Sequence, residues 1–204
     1  MSSNRGSYNI ITIGDTCVGK TSIIIRYTEN RFSESILSSI GICKTFKNLV
    51  LKNGETIKIS LTDTAGQEKY ESLNKAYVRN VDGVLFVFDL SKKKTFFNIK
   101  KWIKFFNENA QKKDIPKFLI GNKKDLKREV GKDLIDIFLG EYQNDFIYKE
   151  TSAKEEDSQI NELFQEMGEI LYTKFSIYKN NNKIKGVKIS GYKEKNKHCN
   201  CIVW

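Results

Sequence analysis

The sequence predicts an α/β fold in three layers, with a six-stranded, mostly parallel sheet, one antiparallel edge strand, and helices on both faces. Short β-branched or apolar runs alternate along the chain with stretches whose apolar residues recur at helical spacing, which favours βα units. One neighbouring pair of runs leaves no room for a helix, which favours a hairpin. At 204 residues with 39% hydrophobic content, the chain has the size of one domain with a single buried core.

Six runs have the length and composition of strands. They are residues 8–13, 46–51, 57–61, 84–89, 117–121 and 145–148. The short segment KNG at 52–54 follows the second run, so the second and third runs are predicted to form the antiparallel pair.

Four stretches between or after these runs are predicted to be helices because their apolar residues share one helical face. Their apolar positions are Ile23, Ile24 and Tyr27; Phe97, Trp102, Ile103 and Phe106; Leu134, Ile135, Phe138 and Leu139; and Ile160, Leu163, Phe164, Met167 and Leu171. Ligands of such folds bind beyond the carboxyl ends of the strands, so we expect functional residues in the loops after them.

The positive charge of the chain is concentrated at its C-terminal end. The formal net charge is +10, and residues 173–204 hold eight lysines and one glutamate, a net charge of +7. We therefore divide the chain into an N-terminal extension (1–7), one folded domain (8–175) and a flexible basic tail (176–204). A basic tail that forms no folded basic face does not favour a nucleic-acid partner, although nuclear targeting or RNA binding stays the alternative interpretation of the lysines.

Composition also indicates where the protein works. The sequence has no run of about 18 apolar residues, and its first residues, MSSNRGSY, lack the apolar stretch of a secretory signal. We therefore expect a soluble protein of the reducing cytosol. Its four cysteines lack zinc-site or disulfide spacing, and the single His198 cannot build a metal site alone.

The first chemical motif, GDTCVGKT, has the spacing G-x-x-x-x-G-K-[ST] between a predicted strand and a predicted helix. Such a loop wraps backbone N–H groups around phosphate oxygens at a helix N-terminus, while its lysine reaches the terminal phosphates and its hydroxyl offers an oxygen to Mg²⁺. This predicts a P-loop nucleotide-binding domain. The candidate nucleotide contacts are Gly14, Asp15, Thr16, Cys17, Val18, Gly19, Lys20 and Thr21.

The second motif, DTAGQE at 63–68, follows the third predicted strand. Asp63 is predicted to hold Mg²⁺ through water, Gly66 to turn its N–H toward a γ-phosphate, and Gln67 to orient an attacking water. The alternative interpretation is an ordinary polar turn.

The third motif, NKKD at 122–125, indicates which base is bound. The carboxylate of Asp125 can accept hydrogen bonds from N1–H and the N2 amine of guanine, whereas adenine lacks that pair of donors. Asn122 is predicted to tie this loop to the phosphate loop, and the stem of Lys123 to cover the base. The segment TSAK after the last strand is predicted to offer a backbone N–H to guanine O6, through Ser152, Ala153 and Lys154.

With these four motifs in this order, the chain resembles the Ras superfamily of small GTPases over residues 8–175, and within it the Rab family. The segments QEKYESL (67–73), YVRNVDGVLFVFDL (77–90) and KTFFNIKKWI (94–103) are similar to Rab segments. The resemblance implies that Phe32 packs on guanine and that Ser39 binds Mg²⁺ through its hydroxyl and the γ-phosphate through its N–H.

The resemblance further implies a function and partners. A Rab-like protein binds GTP, GDP and Mg²⁺, hydrolyses GTP slowly, and regulates vesicle traffic by recruiting effectors in the GTP state. Its expected partners are an exchange factor, a GTPase-activating protein, effectors and the cytosolic face of intracellular membranes, and we expect the chain itself to be a monomer.

The sequence departs from the Rab pattern around the surface that effectors contact. IGICKTF (40–46) stands where Rab proteins usually have IGVDF, with a lysine at the aromatic position, and the stretch from Ser39 to Asp63 is one residue longer. Thr62 replaces a tryptophan before DTAG, which removes apolar contact area, so we expect altered effector contacts and little change at the nucleotide.

The last four residues, CIVW, fit the pattern C-a-a-X, with Cys201 as the lipid acceptor and Cys199 as a possible second one. A lipid together with a polybasic segment gives stable membrane attachment. The alternative is two free thiols on a solvated tail.

Three other functions remain open at this point. The chain could be a GTP-binding scaffold that cycles slowly or not at all, although the presence of Gln67 favours hydrolysis. It could be a Ras- or Rho-type signalling GTPase. A P-loop kinase or ATPase is disfavoured by NKKD and by the lack of a further domain to cover a second substrate.

Overall fold

The computed structural model describes residues 7–33, 43–64, 71–143, 145–156 and 158–184. Contacts between residues divide the chain into two units, residues 1–172 and residues 173–204. All strands and the predicted nucleotide-binding motifs belong to the first unit.

Six strands form one sheet in the order β2-β3-β1-β4-β5-β6. Only the β2–β3 pair is antiparallel, and β2 lies at an edge of the sheet. The predicted α/β class, strand number and antiparallel edge are confirmed. The strands are β1 (Tyr8–Ile13), β2 (Cys43–Val50), β3 (Thr56–Asp63), β4 (Gly83–Asp89), β5 (Lys117–Asn122) and β6 (Ile147–Glu150).

The hairpin between β2 and β3 closes where the sequence predicts it. Leu51 N–H donates to Glu55 O at 2.8 Å, and Gly54 N–H donates to Leu51 O at 2.9 Å. Gly54 has a φ of 82°, a conformation that glycine adopts without steric cost.

Six helices flank the sheet within the described residues, and three of them differ from the sequence prediction. The predicted helix around residues 97–106 is two helices that meet at Asn98, and the helix over residues 71–78 was not predicted. None of the described helices has the length and apolarity needed to cross a lipid bilayer. The helices are α1 (Lys20–Glu29), α2 (Glu71–Val78), α3 (Lys93–Phe97), α4 (Ile99–Asn109), α5 (Lys132–Glu141) and α6 (Gln159–Ile184).

The core covers both faces of the sheet, and every residue of β4 is buried. On one face, Phe86 packs edge-on against Phe106 of α4 and Phe146, with ring centroids 5.8 and 5.7 Å apart. On the other face, Tyr27 of α1 stacks on Phe164 of α6 at 4.1 Å. This burial on both sides explains why β4 reads as a continuous apolar run rather than an alternating one.

Several strand and helix ends differ from the sequence prediction. Strand β2 begins at Cys43 rather than at residue 46, and β3 ends at Asp63 rather than at residue 61. The sixth strand begins at Ile147 rather than at residue 145, because Asp145 N–H bonds back to Tyr142 O in a turn after α5. Helix α6 continues through Ile184, beyond residue 175, where the sequence analysis placed the end of the folded domain. No glycine or proline lies between Gly168 and Gly186, and once a helix has formed, extending it costs little.

Candidate nucleotide-binding site

The loops after β1, β3, β5 and β6 meet at one edge of the sheet, because the carboxyl ends of these parallel strands lie side by side. Each of the four sequence motifs begins in or directly after one of these strands. The described parts of the motifs are joined to one another by hydrogen bonds, so the structure assembles them into one site.

The phosphate loop requires glycine at two positions. Gly14 has a φ of 155°, and a Cβ there would lie 2.1 Å from Val87 O. Gly19 has a φ of 97°, and a Cβ there would lie 2.2 Å from Asn122 Nδ2. Cys17, also left-handed at φ 62°, is exposed at the loop surface. The loop is therefore a backbone-lined cradle that larger residues at Gly14 and Gly19 would distort.

Lys20 is the first residue of α1, and its side chain folds back over the phosphate loop. Its Nζ donates to Gly14 O at 2.9 Å and to Asp15 O at 2.7 Å, and the residue is 5% exposed. Burial lowers the pKa of Lys20 to about 8, although the nearby carboxylates of Asp63 and Asp15 oppose this shift. A buried ammonium group beside open backbone N–H groups suits phosphate oxygens.

Thr21 and Asp63 place two oxygen ligands next to each other. Thr21 Oγ1 donates to Asp63 Oδ2 at 2.6 Å, which joins the phosphate loop to the end of β3. Mg²⁺ takes oxygen ligands, and it commonly uses one or two protein groups together with substrate phosphates. These two residues therefore fit the ion that the family implies.

Asn122 links the base loop to the phosphate loop. Its Nδ2 donates to Val18 O at 2.9 Å, its Oδ1 accepts from Thr151 Oγ1 at 3.1 Å, and it is 1% exposed. One buried amide thus connects the first, third and fourth motifs, as the sequence predicted for the first and third.

Asp125 is exposed, and Ser152 holds its carboxylate in place. Ser152 Oγ donates to Asp125 Oδ1 at 2.6 Å and accepts from the N–H groups of Lys154 and Glu155 at 3.2 and 3.1 Å. Ser152 is fully buried, so its hydroxyl holds the exposed carboxylate of Asp125 from the interior of the protein. Ser152 of the fourth motif therefore positions Asp125 of the third motif.

Two charged residues that support the base loops were missed by the sequence analysis. Arg26 of α1 is buried, and its guanidinium donates to Ala153 O at 2.9 Å and to Lys154 O at 3.2 Å. An arginine on the apolar face of a helix is the signal that could have identified it.

The second missed residue is Asp89, at the end of β4. Its Oδ2 lies 2.8 Å from Lys123 Nζ, and Ser91 donates to its Oδ1 through both N–H and Oγ. Burial alone would raise the pKa of Asp89, but the bonds from Lys123 and Ser91 hold it below its ordinary value. The ion pair with Asp89 therefore fixes the position of the Lys123 side chain. The backbone of Lys123 is left-handed, with a φ of 63°.

A third unpredicted contact joins the phosphate loop to α4. Asp15 Oδ2 accepts from Asn98 Nδ2, and Asp15 Oδ1 accepts from Trp102 Nε1, both at 2.7 Å. Sequence alone could not pair these residues, because more than 80 positions separate them.

Several predicted site residues are not placed in this site by the structure. Phe32 is half-buried just after α1, and its predicted contact with guanine stays a prediction. The remaining members lie outside the described residues: Ser39, Gly66, Gln67, Cys199 and Cys201.

Two residues at which the sequence analysis noted departures from the Rab pattern, Lys44 and Thr62, lie on the β2–β3 pair. Lys44 is exposed opposite Thr62, which is 5% exposed, whereas Phe46 opposite Ser60 is 52% exposed. The ammonium groups of Lys44 and Lys58 lie 5.7 and 4.6 Å from the centroid of the Phe46 ring. Phe46 is therefore an exposed aromatic side chain on this surface, and lysines flank it.

A glycine-bracketed phosphate loop, a buried lysine and a carboxylate set for guanine on this sheet define the class of P-loop guanine-nucleotide-binding domains. The chain belongs to the Ras family, whose family model matches residues 9–173. It is a Rab-like small GTPase, a protein that hydrolyses GTP to GDP.

Three relatives illustrate this similarity. The Ras-related protein SEC4 of Saccharomyces cerevisiae is 36% identical over 191 residues, covering 91% of this chain and 85% of the relative. The Ras-related protein Rab-11B of Dictyostelium discoideum is 39% identical over 173 residues, covering 84% and 76%. The Ras-related protein Rab-13 of Bos taurus is 36% identical over 180 residues, covering 86% of each chain.

Proposed function

We propose that this chain is a GTP-operated switch that recruits effectors to an intracellular membrane and regulates vesicle traffic there. The observation that carries the nucleotide part is the hydrogen-bonded unit that joins Asp125 to Ser152 and Asn122 to the phosphate loop. Assignment to vesicle traffic is supported by the Rab relatives.

Each part of the site has a distinct role in this proposal. The loop around Gly14 and Gly19 and the ammonium of Lys20 hold the phosphates, while Asp125 selects guanine. Thr21 and Asp63, with Ser39, would hold Mg²⁺, and the ion would neutralise charge on the β- and γ-phosphate oxygens. Gln67 orients a water whose oxygen forms a bond to the γ-phosphorus while the bond from that phosphorus to the β–γ bridging oxygen breaks. The products are GDP and inorganic phosphate, and the proton released by the water goes to the phosphate.

Hydrolysis by the chain alone is expected to be slow. Phosphoryl transfer is accelerated strongly by an arginine that stabilises transition-state charge, and many switch proteins receive that arginine from a partner. The sequence offers no arginine obviously placed for this role, and the described Arg26 is bonded to backbone carbonyls of the base loop. A GTPase-activating protein is therefore implied, as is an exchange factor that releases GDP.

Replacing Gln67 tests the hydrolytic role. Gln67→Leu should lower the single-turnover rate of GTP hydrolysis by roughly 10²-fold or more, because leucine cannot orient the attacking water and positioned groups that assist proton transfer contribute about 10²- to 10⁴-fold. Affinity for GTP should stay within a few-fold, because the amide acts on water and not on the nucleotide. Gln111→Leu is the matched control, because Gln111 lies in the loop after α4.

The release of inorganic phosphate from protein that has been loaded with GTP measures this rate. Equal turnover in the Gln67 variant and the wild-type chain would remove this residue from the mechanism. Tight GTP binding without measurable hydrolysis in the wild-type chain would favour the scaffold function.

Membrane attachment is proposed to need both lipid and charge. Cys201, with Cys199 as a second acceptor, would carry the lipid, and the net charge of +7 over residues 173–204 would attract anionic headgroups. Each lysine near the surface contributes about 1 kcal/mol, and salt screens this attraction within a Debye length.

Cys201→Ser should therefore move most of the protein from the membrane fraction to the cytosol, and Cys199→Ser should have a smaller effect unless both thiols carry lipid. Cell fractionation measures the distribution, and Cys43→Ser, an exposed cysteine on β2, is the matched control. Mass spectrometry of the C-terminal peptide decides the cause. Unmodified Cys199 and Cys201 with an intact IVW end would exclude the lipid anchor.

A further inference from the structure

Asp15 is a carboxylate inside a loop that is shaped to bind phosphate. Like charges repel, so a carboxylate that turned toward bound phosphates would weaken their binding. The structure shows what prevents this: both carboxylate oxygens are bonded to α4, one to Asn98 and one to Trp102, at 2.7 Å each.

The two donors are held rigidly. Trp102 is 4% exposed and packs edge-on against Phe105, with ring centroids 6.2 Å apart. Asn98 is the N-cap residue of α4, and its backbone N–H bonds to Lys94 O of α3. Because core packing fixes Trp102 and the junction between α3 and α4 fixes the backbone of Asn98, these donors can impose a position on the loop rather than follow it.

The carboxylate also completes the N-terminus of α4. This helix has no acidic residue in its first turn and no side-chain hydrogen bond from its N-cap residue. A helix N-terminus carries a partial positive charge that favours a nearby anion. Asp15 supplies that negative charge from the phosphate loop.

The same residue contacts the phosphate-binding lysine. Asp15 O accepts from Lys20 Nζ at 2.7 Å, so Asp15 is bonded to α4 through its side chain and to Lys20 through its backbone. A change in the position of the side chain would therefore displace the carbonyl that helps to orient the ammonium group.

We propose that Asn98 and Trp102 are positioning residues for the phosphate loop: by bonding Asp15 they hold the loop in its phosphate-binding shape and lengthen the lifetime of bound GDP. This inference rests on the proposed guanine-nucleotide site and deepens it. Because the loop encloses the β-phosphate, the effect should be larger for GDP than for GMP.

Asn98→Asp tests the contact with almost no change in volume. It replaces an amide donor by a second carboxylate facing Asp15. A hydrogen bond to a charged group corresponds to roughly a 10- to 150-fold change, and we expect GDP dissociation to accelerate within that range. The ratio of GDP affinity to GMP affinity should fall as well. Trp102→Phe, which removes the second donor and keeps an aromatic ring, should act in the same direction.

An exchanged pair provides the rescue. Asp15→Asn combined with Asn98→Asp restores an amide–carboxylate hydrogen bond with the roles reversed, and should return GDP dissociation to within about threefold of wild type. Asn109→Asp, at the other end of α4, makes the same charge change away from the loop and is the matched control. Its GDP dissociation should equal that of wild type.

The experiment uses the 204-residue chain, fluorescent GDP and GMP, and thermal unfolding as a check on folding. Unchanged GDP dissociation in Asn98→Asp, an equal loss of GDP and GMP affinity, or failure of the exchanged pair to recover would each overturn the proposal. A wild-type chain that binds no GDP would instead overturn the proposed function, so the two failures are distinguishable.

Discussion

Asp125→Asn is expected to change the nucleotide preference of this protein from guanine to xanthine. The carboxylate accepts from two guanine donors, N1–H and the N2 amine. Xanthine has a carbonyl oxygen where guanine has that amine, so an amide at residue 125 can donate to the carbonyl and accept from N1–H. Sites that hydrogen-bond a substrate group reject analogues lacking it by about 10⁴- to 10⁵-fold, and we expect the preference to shift by roughly 10⁴-fold.

The hydrogen bond to Asp125 indicates that Asp125→Asn should change base recognition without moving the side chain. Ser152 Oγ donates to Asp125 Oδ1 at 2.6 Å, and an amide oxygen can accept the same bond, so the variant side chain should keep its orientation. Asp136→Asn, at an exposed position of α5, is the matched control.

Competition between labelled GDP and unlabelled xanthosine diphosphate measures the shift. Retained GDP preference in the Asp125 variant, or effective competition by ADP against the wild-type chain, would contradict the assignment of the base-recognising carboxylate.

The elements that sequence predicted best are those whose pattern depends on burial. The run over residues 84–89 is apolar because β4 is covered on both faces, and the predicted and observed strands agree to within one residue. The hairpin was predictable because too few residues separate its strands. Helix α2 was missed because its sequence, ESLNKAYV, has no long apolar stripe, although Val78 is buried.

Within the site, local motifs were predictable and the contacts that hold them were not. The phosphate loop and the NKKD segment each have their own spacing, so their chemistry can be inferred from a few adjacent residues. Arg26, Asp89 and Trp102 act on loops that are distant in sequence, and only the folded sheet brings them together. The exposure of Phe46 beside Lys44 could not be inferred from the sequence, because it depends on the register of β2 against β3.

Lys20→Met is expected to cause the largest loss of nucleotide affinity after the change at Asp125. Methionine fills a similar volume and removes the charge, which leaves phosphate oxygens and the carbonyls of Gly14 and Asp15 without a donor. Truncating one partner of a buried, hydrogen-bonded charge pair costs about 2–5 kcal/mol, so GDP affinity should fall roughly 30- to 4,000-fold.

Guanosine, which has no phosphate, separates this effect from a general disturbance of the site. Lys20→Met should weaken GDP and GTP and leave guanosine binding unchanged, because the base is held by Asp125 and the loops around Ser152. Lys117→Met is the matched control, since Lys117 is a largely buried lysine that pairs with Asp145 at the amino end of β5, away from the phosphate loop. Calorimetry with all three ligands measures the outcome, and an equal loss of guanosine and GDP affinity would show that Lys20 supports the fold of the site rather than the phosphates.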